Sequence, residues 1–181
     1  MKKAMLILAL VAATGSIFAQ KKTTTSGTVN FDATTSLDGL PKAENKTVVV
    51  AIDPAKGTLA FEVPVKNFTF ENPKMQEHFN GESWLNSEKY PTATFKGNIV
   101  NLSAVDFTKD GSYDASVEGT LTIRGVTKPV KTSGKIVVSG KTVSTNAAFT
   151  VKLADYNIDG APVTGGKVSK EPKITVAATL Q

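Results

Sequence analysis

The side chains that could do chemistry are few and far apart. His78 is the only histidine, Arg124 the only arginine, and the chain has no cysteine. A Ser-His-Asp relay can be drawn from His78 with Asp53, Asp155 or Asp159. The Gly-x-Ser-x-Gly turn that would expose a nucleophile is absent. One imidazole and no thiolate would leave a zinc site to carboxylates, an unusual ligand set. No catalytic residue and no metal ligand is therefore assigned, and the expectation is a binding protein rather than an enzyme. A hydrolase or isomerase with His78 as base ranks last. His78 has two open readings, a hydrogen bond to a loop carbonyl or contact with a ligand headgroup. Arg124, just before Gly125, is expected to fix a turn through an ion pair or backbone hydrogen bonds. Its guanidinium would also suit phosphate or quinone oxygens. Lys152, Asp155, Tyr156 and Asn157 form a polar cluster with no evident reaction.

The elements that must position these residues alternate apolar and polar with period two. Val29, Phe31 and Ala33 share one parity, as do Val48, Val50 and Ile52, and Leu59, Phe61, Val63 and Val65. Ala93, Phe95, Gly97 and Ile99 follow, then Val117, Gly119, Leu121 and Ile123. Val130, Gly134, Ile136 and Val138 come next, then Ala147, Phe149, Val151 and Leu153, and finally Ile174, Val176, Ala178 and Leu180. Such runs are half-buried antiparallel strands. Asp53-Pro54-Ala55-Lys56-Gly57, Lys109-Asp110-Gly111-Ser112 and Ser139-Gly140-Lys141 read as tight connections between them. One segment departs from the pattern. Asn72 can cap a helix and Pro73 suits its first position. Met75, His78 and Phe79 then share a face, and Trp84 follows closely. This predicts a short helix across one end of the fold.

Composition bounds the rest. Lys2 and Lys3, the apolar run Ala4 to Ala13 and the small residue Ala19 read as a secretory signal peptide over residues 1–19. The run is shorter than the ~20 residues of a membrane span. Residues 20–181 form one domain that lies in the periplasm or outside the cell, without stable membrane insertion. Without Lys2 and Lys3 the formal charge falls from +5 to +3. The lysines are scattered singly, unlike the concentrated basic face of a nucleic-acid reader.

Three signatures, His78-Phe79-Asn80, Tyr90-Pro91-Thr92-Ala93-Thr94-Phe95 and Leu121-Thr122-Ile123-Arg124-Gly125-Val126-Thr127-Lys128-Pro129-Val130, follow one another in order. In order and spacing they resemble the YceI-like family, secreted bacterial proteins with a lipocalin-like barrel that bind polyisoprenoid lipids. Periodicity leaves sandwich and closed barrel open. The resemblance implies an all-β fold, a single antiparallel lipocalin-like β-barrel of about eight strands with a short helical excursion near one end. It also implies an amphiphilic ligand, a polyisoprenoid or isoprenoid quinone, and no other cofactor. Phe31, Phe61, Val63, Phe95, Leu121, Ile123, Phe149 and Val151 are then expected to line the interior. Met75, His78, Phe79 and Trp84 are expected at its mouth. The inward glycines and alanines either open a tunnel or mark barrel bends. A structural or interaction barrel with a filled core is the alternative to the lipid carrier.

Overall fold

The computed structural model describes residues 21–181; the expected leader, residues 1–19, lies outside them. Nine strands form in chain order: β1 (Lys22–Asp32), β2 (Lys42–Asp53), β3 (Thr58–Pro64), β4 (Thr69–Phe70), β5 (Thr92–Ile99), β6 (Gly111–Ile123), β7 (Val126–Ser139), β8 (Thr142–Thr150) and β9 (Lys173–Leu180). Eight of them close into an antiparallel barrel in the order β1-β9-β8-β7-β6-β5-β3-β2, with β2 returning to β1. The two-residue β4 adds to β2 at Ala43 and Glu44. Strand β1 completes the ring by pairing on both edges: Phe31 lies opposite Ala43 of β2 and Ile174 of β9.

The two ends of the barrel differ. At one end the strands meet in short turns. Gly57 takes φ +67° and its N–H donates to the Asp53 carbonyl, while Asp53 Oδ1 accepts from the Ala55 and Lys56 N–H groups. Gly140, at φ +58°, joins β7 to β8. The expected tight connection at Lys109–Ser112 is instead the tail of a longer one running over 100–110. It carries a 3-10 turn, Leu102–Ala104, and its length serves packing. Leu102 lies against Gly57, and Val105 is buried, so this segment plugs the end. Ile52, Ile99, Ile136, Val138, Val143 and Leu180 are almost fully buried nearby. The barrel is blind here.

At the other end β6 and β7 meet in the two-residue turn Arg124–Gly125, and the remaining connections are long. They carry α1 (Pro73–Asn80), α2 (Ala161–Thr164) and a 3-10 turn, Leu153–Tyr156. The α1 start follows the expected chemistry, with Asn72 Oδ1 accepting from the Lys74 N–H at 2.9 Å and Pro73 in the first turn. Phe79 enters an aromatic cluster, its ring centroid 5.5 Å from Phe31, 5.3 Å from Phe68 and 4.9 Å from Phe70. That cluster holds the helix across the barrel end.

The three inward glycines, Gly97, Gly119 and Gly134, mark close strand approaches; a Cβ on Gly134 would run into the Asn146 carbonyl oxygen of β8. Gly97 and Gly119 face each other across β5 and β6. A Cβ on Gly119 would lie 2.3 Å from the Lys96 carbonyl oxygen and 2.7 Å from the Phe95 ring, which covers both glycines. Gly119→Ala is expected to destabilise the fold by about 1–3 kcal/mol through overpacking, read from a urea midpoint at unchanged slope.

Candidate functional site

The inward faces of the strands enclose an apolar cavity toward the helical end. Its volume is about 160 Å³. Phe31, Phe61, Val63, Phe79, Trp84, Phe95, Leu121, Ile123, Phe149 and Val151 all line it, as their parity or placement predicts. A filled interior is therefore not what the fold contains. Phe61, Val63, Phe95, Ile123 and Phe149 are only half-buried, although they point inward. Among the inward small residues, Ala93, Gly134 and Ala147 border the cavity, whereas Gly97 and Gly119 do not.

Met75 and His78 fall outside this cavity. They line a second depression of about 230 Å³, with Asp38, Pro41, Pro162, Lys167 and Val168. The reason is the orientation of α1. Its Phe79 side faces the aromatic cluster, which leaves His78 exposed and Met75 half-buried on the flank. The His78 carbonyl accepts from the Gly81 N–H, and its ring meets no loop carbonyl among the described residues. Phe31, Phe79 and Trp84 border both spaces and form the partition between them.

Sequence reasoning did not foresee how the wall is completed beside β7. This strand pairs with β6 along its length, from Val126 to Val138. It pairs with β8 only from Gly134 onward. Opposite Val126–Ser133 the wall is formed by the irregular segment after β8, where the 3-10 turn packs against β7 and Val151, Leu153 and Ile158 point into the cavity. Pro129 marks the unpaired stretch. Ile123 and Val126 close a two-residue turn, so hydrogen-bonded and non-hydrogen-bonded pairs alternate from there. Thr120↔Pro129 is then a non-hydrogen-bonded pair, and the missing N–H faces away from β6. Only the proline itself could have signalled this.

Arg124 fastens the irregular wall. Arg124 and Gly125 occupy the turn with φ +50° and +75°, and Tyr90 packs beneath Gly125. The guanidinium donates to the Asn157 carbonyl, just past the 3-10 turn, and to the Glu82 carbonyl, after α1, at 2.9 Å. Three segments of the mouth are thus joined by one side chain, through backbone hydrogen bonds as the sequence suggested. The polar cluster resolves too. Tyr156 is buried, and burial, followed by the nearby Asp155 charge, pushes its phenol up to about 12. Lys152, Asp155 and Asn157 are exposed.

No group of three or more metal-capable side chains occurs among the described residues. No helix among them is long and apolar enough to cross a membrane. The site holds van der Waals surface and little else, and the chemistry it offers is the exclusion of water from an apolar guest.

Comparison with known proteins places this architecture. A model of the YceI-like domain matches residues 11–180. Protein YceI of Escherichia coli O17:K52:H18 is 30% identical over 112 residues, which cover 59% of this chain and 54% of that protein. A UPF0312 protein of Pectobacterium carotovorum subsp. carotovorum is 35% identical over 107 residues, 56% of this chain and 50% of that one. The chain thus spans about half the length of these curated relatives. Among solved structures, a polyisoprenoid binding domain from Saccharophagus degradans, implicated in plant cell wall breakdown, superposes with a TM-score of 0.75. It has 12% identity and covers 89% of this chain and 97% of that one. Burkholderia cenocepacia BcnA superposes with a TM-score of 0.69 at 19% identity, covering 84% and 95%. At these identities the structures speak for the fold.

Arg124→Ala is expected to cost about 1–3 kcal/mol, since it removes charged donors from two carbonyls. Arg124→Lys should recover less than half, because an ammonium lacks the planar fork. Urea denaturation of the three proteins measures both.

Proposed function

The chain belongs to the YceI-like domain family, and on that premise we propose that its barrel binds the apolar chain of a polyisoprenoid or similar amphiphile. The observation that carries this reading is the hollow interior. Large apolar side chains point into a closed barrel, and yet Phe61, Val63, Phe95, Ile123 and Phe149 remain half-exposed. A protein interior normally packs to crystal-like density. Apolar walls left unpacked, at a cost in dispersion energy, are accounted for by a guest that covers them.

The energetics need no specific chemistry. Each methylene transferred from water contributes ~0.8 kcal/mol. Immobilising the guest and ordering the mouth consume part of that gain. The enclosed space compares with apolar cavities of about 150 Å³ that stay dry and take a small aromatic guest. A longer chain continues along the half-exposed phenylalanines toward the helical end. On this reading the protein carries or stores the lipid, catalyses nothing, and requires neither metal nor cofactor. The Saccharophagus degradans protein is a polyisoprenoid binding domain, and the shared fold supports the same ligand class here.

Organic extraction of the purified protein followed by mass spectrometry is expected to release a prenyl or similar apolar chain. Ala93→Phe, which adds a ring to the cavity wall, should weaken binding of such a chain at least tenfold while the circular dichroism spectrum is retained. Repeated extraction without lipid, or full binding by the filled variant, would refute the proposal.

We further infer that the carrier works outside the cytoplasm. The basic, apolar and small-residue order of residues 1–19 supports this. Protein recovered from a periplasmic or culture fraction should begin at Gln20, as read by amino-terminal sequencing. A cytoplasmic fraction that keeps Met1 would contradict it.

A further inference from the structure

Leu37 and Leu40 are 71% and 50% exposed, close together in the 33–41 connection at the helical end of the barrel. The other large exposed apolar residues, Val49, Val100 and Val137, stand singly on separate elements, which is ordinary for a surface. The connection is a built turn. The Ala33 N–H donates to the Pro41 carbonyl at 2.8 Å, and the Thr35 N–H to the Asp38 carbonyl at 2.9 Å. Thr35 Oγ1 accepts from the N–H groups of Leu37 and Asp38, and Asp38 Oδ1 accepts from that of Leu40. The polar groups are satisfied within the turn, and the two leucines are left outward. Gly39 stands between them with open space beyond its Cα.

The surroundings point to the kind of partner. Asp38 and Pro41 of this turn form one side of the second depression, whose floor is shared with the barrel cavity. Leu37 lies 3.3 Å from the place a Cβ on Gly166 would take, beside Lys167. Lys42 and Lys173 flank Asp32 on the neighbouring strands. Burial acts to raise the Asp32 pKa, but hydrogen bonds from Thr34 and these two lysines hold it below its ordinary value. Lys170 is exposed nearby in sequence, as is Glu171. Lys42 pairs with Asp32 at 3.7 Å, which leaves Lys167, Lys170 and Lys173 against Asp38 and Glu171 beside the tip.

We propose that the Leu37–Leu40 tip docks the protein on an anionic lipid bilayer, with the leucines at the acyl boundary and the lysines among the headgroups. Exposed apolar side chains at the mouth of an apolar cavity, with lysines beside them, are the chemistry of interfacial anchors. A second copy of this chain fits the surface poorly, since two leucines on a narrow turn fall far short of the ~800 Å² per partner of a stable interface. Docking in this orientation sets the depression at headgroup level. A prenyl chain then passes between bilayer and barrel without crossing water, a step that rests on the lipid-binding reading above.

The absence of cysteine gives a direct test. Gly39→Cys and, at the blind end, Lys56→Cys each carry a single environment-sensitive fluorophore. The vesicles are phosphatidylcholine with and without phosphatidylglycerol, each also carrying a lipid-borne quencher. The Gly39 label is expected to be quenched, more strongly on the anionic vesicles, while the Lys56 label is not. Leu37→Ser/Leu40→Ser should lower vesicle partitioning at least roughly tenfold with an unchanged circular dichroism spectrum. Equal quenching at both positions would overturn the proposal. So would unchanged partitioning of the double variant, or a dimer in sedimentation equilibrium that the double variant abolishes. The two readings fail separately. Protein that docks but yields no extractable lipid refutes the barrel reading alone, and protein that yields lipid but ignores vesicles refutes docking alone.

Discussion

The double pairing of β1 is the constraint on which the molecule depends. By forming ladders with both β2 and β9 it turns a sheet into a ring. Closure leaves no terminal strand edge to be covered. It also frees the interior from a task. Each strand of the ring is held in register by backbone hydrogen bonds to a neighbour on either side over at least part of its length. The inward faces then need not interlock completely to fix the fold. Loss of β1 from either neighbour would release the ring and expose the alternating apolar faces.

Packing along the barrel axis follows from this freedom. At the blind end short turns draw the strands together, and the 100–110 connection closes the bottom with Leu102 and Val105. Toward the helical end all connections but the β6–β7 turn are long, and the aromatic cluster around Phe79 closes only part of the opening. Between them lies the hollow stretch. Phe95 shows both behaviours, since its ring covers the glycine pair Gly97 and Gly119 and also borders the cavity. The same side chain seals a tight strand contact and forms the wall of an open space.

The strands were legible because period-two alternation is an additive signal, whereas their closure into a barrel rested on the family resemblance, since alternation fits a sandwich equally well. Each inward residue from Val29 to Leu180 repeats the same statement, and the helix start at Asn72-Pro73 rests on local chemistry that needs no tertiary context. The cavity walls followed from parity, so Phe61, Leu121 and Phe149 fell where expected. Met75 and His78 line the outer depression at the helical end and not the cavity itself, because the face of a two-turn helix is decided by what it packs on, and the aromatic cluster takes Phe79. The filling of Gly97 and Gly119 by Phe95 was equally hidden, since it depends on which strands become neighbours. The exposed leucines carried no periodic signal, as they sit in a turn. Sequence reasoning does see charge and residue type, which is why Arg124 was expected to fix its turn by an ion pair or by backbone hydrogen bonds, while its distant partners at Asn157 and Glu82 carried no signal.

The incomplete pairing of β7 bears on how large the interior is. Along Val126–Ser133 the wall is closed by side-chain packing and by Arg124 rather than by a ladder to β8. A ladder fixes the spacing of two strands at about 4.8 Å, whereas packed side chains can shift. Along this seam the circumference of the barrel is set by packed side chains and not by a ladder. Capacity is then a property of the seam as much as of the residues that line the hollow.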